Sequence, residues 1–169
     1  MPDEPGISPY TRTDIATLVG QINVAWGDIQ FWVYLIFRFL MNDTLRAQAI
    51  FFAIRSDSVQ RDITAALVDL ALTHALPKEL RKDARVLFSE LQRIVGRRND
   101  AIHAMWSFGV FDESITPMAG SSPRLQEKDA IAELRQTVNE IVEATFAVKD
   151  FLDALRDAQI PLLSTNRQR

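Results

Sequence analysis

The stretch GRRNDAIHAMW, residues 96–106, brings together side chains that can handle protons and negative charge. A histidine such as His103 takes up and releases protons near neutral pH. Arg98, five residues earlier, carries a planar fork that can bind two oxygens of a phosphate or carboxylate. Asn99 adds an amide that can donate or accept a hydrogen bond. The pattern therefore favours proton transfer beside an anionic group.

This stretch lies at the end of a predicted helix and departs from the apolar pattern of that helix. The apolar positions are spaced by threes and fours, and they are Leu80, Ala84, Leu87, Leu91, Ile94, Ala101 and Met105. The same spacing predicts a core position at residue 98, which is Arg98. A buried guanidinium is costly unless it is paired or lines a wet groove, and such departures tend to mark functional sites. On this helix Asn99 and His103 share a face, whereas Arg98 and His103 point roughly 140° apart.

The sequence RNDAIH resembles the Arg-polar-x3-His motif of the HEPN superfamily, which consists of small all-helical proteins. Many of its members are metal-independent endoribonucleases that cut single-stranded RNA. The matched positions are Arg98, Asn99 and His103. The resemblance extends loosely to the whole chain, because the motif falls near the end of a late helix with one helix after it. It implies a homodimer in which the motif helices of two subunits form a composite site.

The resemblance also implies a role for each matched residue. The 2′-hydroxyl of RNA would act as the nucleophile, and His103 would take or give the proton. Arg98 would neutralise the charge that grows on the phosphorane, while Asn99 would orient a phosphate or a sugar. The expected product is a 2′,3′-cyclic phosphate. Arg93 and Arg97, one turn apart, are predicted to guide the RNA backbone, with a solvated helix face as the alternative.

Two functional interpretations follow. The first is a cytoplasmic, homodimeric ribonuclease with a role in RNA-directed toxicity or phage defence, held in check by an antitoxin or another regulatory protein. The second is a non-catalytic helical module for protein interaction or dimerisation, in which the motif is structural. In that case His103 caps the helix end and Arg98 pairs with Asp100, Asp112 or Glu113. Neither interpretation calls for a cofactor, a metal ion, DNA or a membrane.

Composition narrows the class of protein. The 169 residues suit a single domain, and the chain contains no cysteine, which excludes disulfides, thiolate metal sites and a cysteine nucleophile. The net charge is −3, whereas a protein that binds nucleic acid over its whole surface is usually basic. Any contact with RNA must therefore be local or transient.

The elements that would position the motif are helices. The spacing predicts an antiparallel, up-and-down bundle of about four to five helices, over about 13–41, 45–55, 59–75, 78–106 and 127–155. Thr11 or Thr13 would cap the first helix, and Ser56–Ser58 would cap the third. Glycines and prolines over 107–126 predict a loop or small hairpin before the last helix. The predicted organisation is an extension over 1–12, one domain over 13–158 and a tail over 159–169.

The most apolar stretch is IQFWVYLIFRFLM, residues 29–41. It contains Gln30 and Arg38 and is shorter than the about 20 residues that a membrane span requires. The stretch therefore predicts a helix that is buried on nearly all sides. Burial all round in so small a chain would require a partner subunit.

Overall fold

The chain is an all-α helical bundle in this computed structural model, which describes residues 11–75, 78–108, 115–118, 120–127 and 129–158. Within those residues there are six helices and one two-stranded sheet. The helices are α1 (Arg12–Met41), α2 (Thr44–Ala53), α3 (Asp57–Ala75), α4 (Lys78–His103), α5 (Pro123–Glu127) and α6 (Ala130–Asp157). The predicted fold class is confirmed, and the helix that the sequence pattern missed, α5, has only five residues.

Short polar side chains set the helix starts. Thr11 and Asp14 form a reciprocal cap on α1, in which the Thr11 N–H donates to Asp14 Oδ2 at 2.9 Å and the Asp14 N–H to Thr11 Oγ1 at 3.3 Å. Asp43 Oδ1 accepts from the Arg46 N–H at the start of α2. Asp129 does the same for α6, since its Oδ1 accepts from the N–H groups of Ile131 and Ala132. Each cap satisfies amide hydrogens that have no partner inside the helix.

The predicted insertion before the last helix contains a small antiparallel hairpin. Strand β1 (Trp106–Phe108) pairs with β2 (Ile115–Pro117), with Ser107 opposite Thr116. Helix α4 therefore ends at His103, three residues before the predicted end at Trp106. Gly120, with φ of +100°, takes the chain from β2 towards α5 in a conformation that residues with a Cβ rarely adopt.

The chain divides into two compact units. Unit 1 comprises residues 1–26 and 93–142, and unit 2 comprises residues 27–92 and 143–169. The prediction of one domain over 13–158 stays a prediction. Of the predicted extension over 1–12 only residues 11 and 12 are described, and the predicted tail over 159–169 lies outside the described residues.

Each unit has a buried apolar core of its own. The large buried side chains of unit 1 include Ile22, Trp26, Ile94, Ile131, Leu134 and Ile141. Those of unit 2 include Ile29, Phe37, Leu40, Phe51, Leu72 and Leu91. In unit 1, Arg93 and Arg97 of α4 bond Glu140 and Glu133 of α6 in reverse order along the chain, so these two helix segments run antiparallel.

Helix α1 contains the most apolar stretch of the sequence. Among the described helices, it alone is long and apolar enough to cross a membrane, with a mean hydropathy of 1.2 over a window that is 39% buried. The core helix of a soluble protein passes the same test, so this is weak evidence for a span. In unit 2 one face of α1 is buried, but Asp28 is exposed and Phe31 is 54% exposed. Within residues 29–41, Phe31 is the one exposed residue and the other twelve are buried or half-buried, so the prediction of burial on nearly all sides is met except at Phe31. The predicted partner subunit stays a prediction.

Candidate functional site

The last turns of α4, within unit 1, carry the motif residues. The helix buries Leu91 and Ile94 and then Arg97 and Ala101, so the core position after Ile94 belongs to Arg97. Arg98 is only half-buried. The prediction that Arg98 occupies the core register is thus wrong by one residue, which is a rotation of about 100° around the helix.

Arg97 is the centre of a buried ion-pair cluster. Its Nη2 donates to Glu133 Oε2 at 2.9 Å, and its Nη1 donates to Glu140 Oε1 at 2.6 Å. The side chains of Arg97 and Glu133 are each 9% exposed. Arg93 donates to the other oxygen of Glu140 at 2.9 Å, and Gln136 donates to Glu140 Oε1 at 3.0 Å. Among the described members of the cluster, two arginines face two carboxylates, so their charges balance.

Arg98, the next residue, has different partners. Its Nη1 donates to Asn99 Oδ1 at 3.0 Å, and its Nη2 lies 3.5 Å from Asn23 Oδ1 on α1. Both acceptors are neutral amides, and within the described part of the chain Arg98 makes no salt bridge. Its Nε–H is buried and has no hydrogen-bond partner. The guanidinium is therefore held in place without being neutralised.

The other two motif residues lie on one face of α4. Asn99 is half-buried, and because its Oδ1 accepts from Arg98, its NH₂ group remains available as a donor. His103 is the last residue of the helix and is exposed. No hydrogen bond from the described residues holds its imidazole. The structure thus brings Arg98 and Asn99 into contact and leaves His103 one turn further on.

The backbone that follows His103 is tied to the hairpin segment. The carbonyl oxygen of Met105 accepts from the Met118 N–H at 2.8 Å and from Ser121 Oγ at 3.1 Å. Gln126 Nε2 donates to the Ser121 carbonyl at 2.6 Å, which holds the same turn from α5. These bonds fix the point where the chain leaves α4, two residues beyond His103.

The remaining predicted residues have structural partners. Because Arg97 is buried and bonded to two carboxylates, it is not presented to an RNA backbone in this arrangement. Arg93 is 45% exposed and paired with Glu140. Asp100, an alternative partner for Arg98, instead accepts from Ser122 Oγ at 2.9 Å. The other two alternatives, Asp112 and Glu113, lie outside the described residues.

Three residues of the site could not be found from the motif alone. Asn23, Glu133 and Glu140 lie 75, 36 and 43 residues from the arginines that they contact. Their only signal in the sequence is that a buried or half-buried arginine requires acceptors. Among the described residues, no group of three or more histidine, aspartate or glutamate side chains is arranged to hold a metal ion.

Comparisons with known proteins give no further guidance, because no family model, no curated protein and no solved structure matches the chain. The resemblance to the HEPN superfamily therefore rests on the motif residues and their helical setting.

Proposed function

We propose that the protein is a HEPN-like, metal-independent endoribonuclease that cleaves single-stranded RNA. The proposal rests mainly on Arg98. Its charge is balanced by no carboxylate among the described residues, whereas the adjacent Arg97 is bonded to two. Two of the five N–H groups of Arg98 are engaged by amide oxygens, which hold the fork without reducing its attraction for a phosphate.

The reaction would need no group beyond the RNA and the protein. The 2′-oxygen attacks the adjacent phosphorus, and the bond from phosphorus to the 5′-oxygen breaks. His103 accepts the 2′-hydroxyl proton or delivers a proton to the departing 5′-oxygen. Arg98 offsets the added negative charge of the phosphorane, and the free amide hydrogens of Asn99 bind a phosphate or ribose oxygen. The products are a 2′,3′-cyclic phosphate and a 5′-hydroxyl.

A single chain supplies one histidine to the motif, although the reaction uses both a base and an acid. Arg98 and His103 also point roughly 140° apart on α4. A homodimer would provide a second His103 and Arg98 to a shared site. We therefore propose a homodimer. The resemblance to the HEPN superfamily adds the proposal that the enzyme is cytoplasmic and acts as a toxin or in phage defence, restrained by an antitoxin or another regulatory protein.

The test uses purified full-length protein, labelled single-stranded RNA and excess EDTA. We expect the wild type to cleave and to leave cyclic phosphate ends, and we expect His103→Ala to lower the rate about 10²- to 10⁴-fold. Arg98→Ala should be similarly impaired. Arg124→Ala is the matched control, because Arg124 is an exposed arginine of the same unit outside the motif. Cleavage that His103→Ala and Arg98→Ala leave unchanged would disprove the assignment.

A second candidate is a non-catalytic helical interaction module. The observation behind it is that the imidazole of His103 is exposed and has no orienting hydrogen bond within the described residues, although the predicted capping of the helix end by His103 is not seen there either. A general base is usually oriented by a neighbouring group. If the wild type leaves a broad panel of RNAs intact as a dimer, this second candidate replaces the first.

A further inference from the structure

Helix α1 carries a stripe of two apolar residues flanked by two charged ones on the face opposite its core face. Within unit 2, the helix buries Ile29, Val33, Ile36, Phe37 and Leu40. At about 100° per residue, Asp28, Phe31, Leu35 and Arg38 form a stripe centred on the opposite side. Phe31 is 54% exposed, Asp28 is exposed, and Leu35 and Arg38 are half-buried. These four residues are called the α1 stripe below.

The spacing of the α1 stripe is that of a helix-pairing seam. Its members are separated by three, four and three residues, which is the spacing of successive core positions in a coiled coil. Residues on any one face of a helix share this spacing, so it is the residue types that distinguish the stripe. Two apolar residues, of which Phe31 is 54% exposed, lie between an acidic and a basic residue. The ring of Phe31 stands edge-on to Trp32, with centroids 6.0 Å apart, which limits the positions that the exposed ring can take.

The stripe is complementary to the same stripe on a second copy of α1 that runs in the opposite direction. About a two-fold axis at residue 33, two antiparallel copies of α1 would place Asp28 opposite Arg38 of the other copy. Phe31 would lie opposite Leu35 of the other copy. Both relations occur twice because of the symmetry, so the contact has two apolar layers at its centre and two opposite-charge pairs at its ends. Neither Asp28 nor Arg38 has an ion pair among the described residues.

We propose that the α1 stripe is a homodimer interface, in which α1 pairs antiparallel with α1 of a second copy of this chain. Charge complementarity selects this occupant. A parallel arrangement would oppose like charges, and a lipid surface would leave Asp28 and Arg38 unpaired at the apolar boundary. Phe52 of α2, 60% exposed and with its ring 5.0 Å from that of Tyr34, widens the apolar surface beside the stripe.

This interface does not depend on ribonuclease activity. The proposed function invokes a dimer because of the motif on α4, whereas the stripe is derived from α1 alone. The test therefore measures molecular mass rather than cleavage. A dimer that the α1 variants leave intact overturns this interface alone, whereas a monomeric wild type also counts against the homodimer of the proposed function.

The experiment is analytical ultracentrifugation of the full chain over a range of concentrations. We expect the wild type to be a dimer. Asp28→Arg should raise the dissociation constant by roughly tenfold or more, because two attractive contacts become repulsive. Arg38→Asp should act alike, and the double variant D28R/R38D should restore the dimer, because the opposite-charge pairs are then rebuilt with the signs exchanged. Asp62→Arg, an exposed position on α3, is the control of equal charge change.

A second variant tests the apolar centre. Phe31→Glu places a carboxylate in each central layer and should give a monomer, with its helical content by circular dichroism unchanged. A wild type that is monomeric at high micromolar concentration would overturn the proposal. So would a dimer that the single reversals leave intact or that the double variant does not restore. A monomer that binds vesicles of phosphatidylcholine and phosphatidylglycerol would assign the stripe to a lipid surface instead.

Discussion

Arg97 Nη2 donates to Glu133 Oε2 at 2.9 Å, and both side chains are 9% exposed. The pair joins α4 to α6 directly beside the motif. The buried carboxylates bind Arg97. The next residue, Arg98, donates only to amide oxygens among the described residues. The two adjacent arginines therefore differ in their surroundings, because Arg97 is neutralised by carboxylates whereas the half-buried Arg98 is bonded to no carboxylate among the described residues.

Glu133→Gln is expected to destabilise the protein by about 3–5 kcal/mol, because it removes a carboxylate from a buried ion pair and leaves the guanidinium undercompensated. Urea unfolding followed by circular dichroism measures this change. Replacing both partners, as Arg97→Met with Glu133→Leu, should cost less than the sum of the single changes. The exposed pair Arg156–Asp153 provides the control, and Arg156→Met should cost only about 0–1 kcal/mol. If Glu133→Gln and Arg156→Met lower the free energy of unfolding equally, the buried pair of Glu133 with Arg97 does not stabilise the protein more than an exposed pair does.

Gln60 joins the end of α2 to α3. Its Nε2 donates to the carbonyl oxygens of Phe51 at 3.0 Å and Ile54 at 2.8 Å, and it is 9% exposed. Gln60→Leu should cost about 1–3 kcal/mol, because it leaves buried carbonyl oxygens without a donor. Thermal unfolding measures the loss. Gln48→Leu, at an exposed position of α2, should change stability little. If Gln60→Leu leaves the stability unchanged, a water molecule replaces the lost donor.

Asp14 gives stability a dependence on acid pH. The backbone N–H of Thr11, and after it the Thr11 hydroxyl, donate to the Asp14 carboxylate and hold its pKa below the ordinary value of 3.8. Arg135 lowers the pKa further, while burial opposes these effects. Since the folded pKa is depressed, the contribution to stability is complete above 3.8. It is lost as the pH falls from 3.8 through the folded pKa.

Asp14→Asn removes this dependence. We expect the variant to be less stable than the wild type at neutral pH, with a difference that shrinks as the pH falls below 3.8. Thermal unfolding across that range, together with NMR titration of the Asp14 carboxyl, measures both quantities. Asp62→Asn serves as an exposed control on α3. If the stability difference between the wild type and Asp14→Asn grows as the pH falls, the pKa of Asp14 is not lowered in the folded state.

Local features of the sequence predicted the cap of α1 by Thr11. The caps of α2 by Asp43 and of α6 by Asp129 were not predicted, and α6 begins at Ala130, three residues after its predicted start. The cap formed by Thr11 and Asp14 depends on residues only three apart, as does the cap of Asp43 on α2. The turn-forming residues over 107–126 likewise indicated the hairpin before α6. Helix α5 was missed because five residues are too few to show a helical repeat.

The arginine partners could not be predicted in the same way. From Ile94, both position 97 and position 98 lie within about 60° of the core direction, so periodicity alone does not distinguish Arg97 from Arg98. The choice depends on Glu133 and Glu140, which approach only when α6 packs on α4 in unit 1. The prediction that Arg93 and Arg97 guide RNA treated the two as a surface pair, whereas both are joined to acidic residues of α6.

Asn23 is expected to act as a positioning residue for Arg98. Its Oδ1 is the acceptor that α1 offers to the Arg98 fork, at 3.5 Å. Asn23→Ala frees one side of the fork and should lower the RNA cleavage rate modestly, roughly tenfold or less, because a single neutral hydrogen bond is worth about 1 kcal/mol. Asn23→Asp is the sharper variant. It nearly preserves the shape of the side chain but supplies a carboxylate that pairs with Arg98, so the fork loses much of its attraction for a phosphate.

We therefore expect Asn23→Asp to be more impaired than Asn23→Ala, and to regain part of its activity at high salt relative to the wild type, because the new pair lies at the surface and is screened. Cleavage rates and RNA affinity measured at two salt concentrations test this order. Gln21→Glu adds the same charge at an exposed position on the same helix and is the control. If Asn23→Asp cleaves as well as Asn23→Ala, the site does not use the charge of Arg98, and Arg98 is not the group that binds the phosphate.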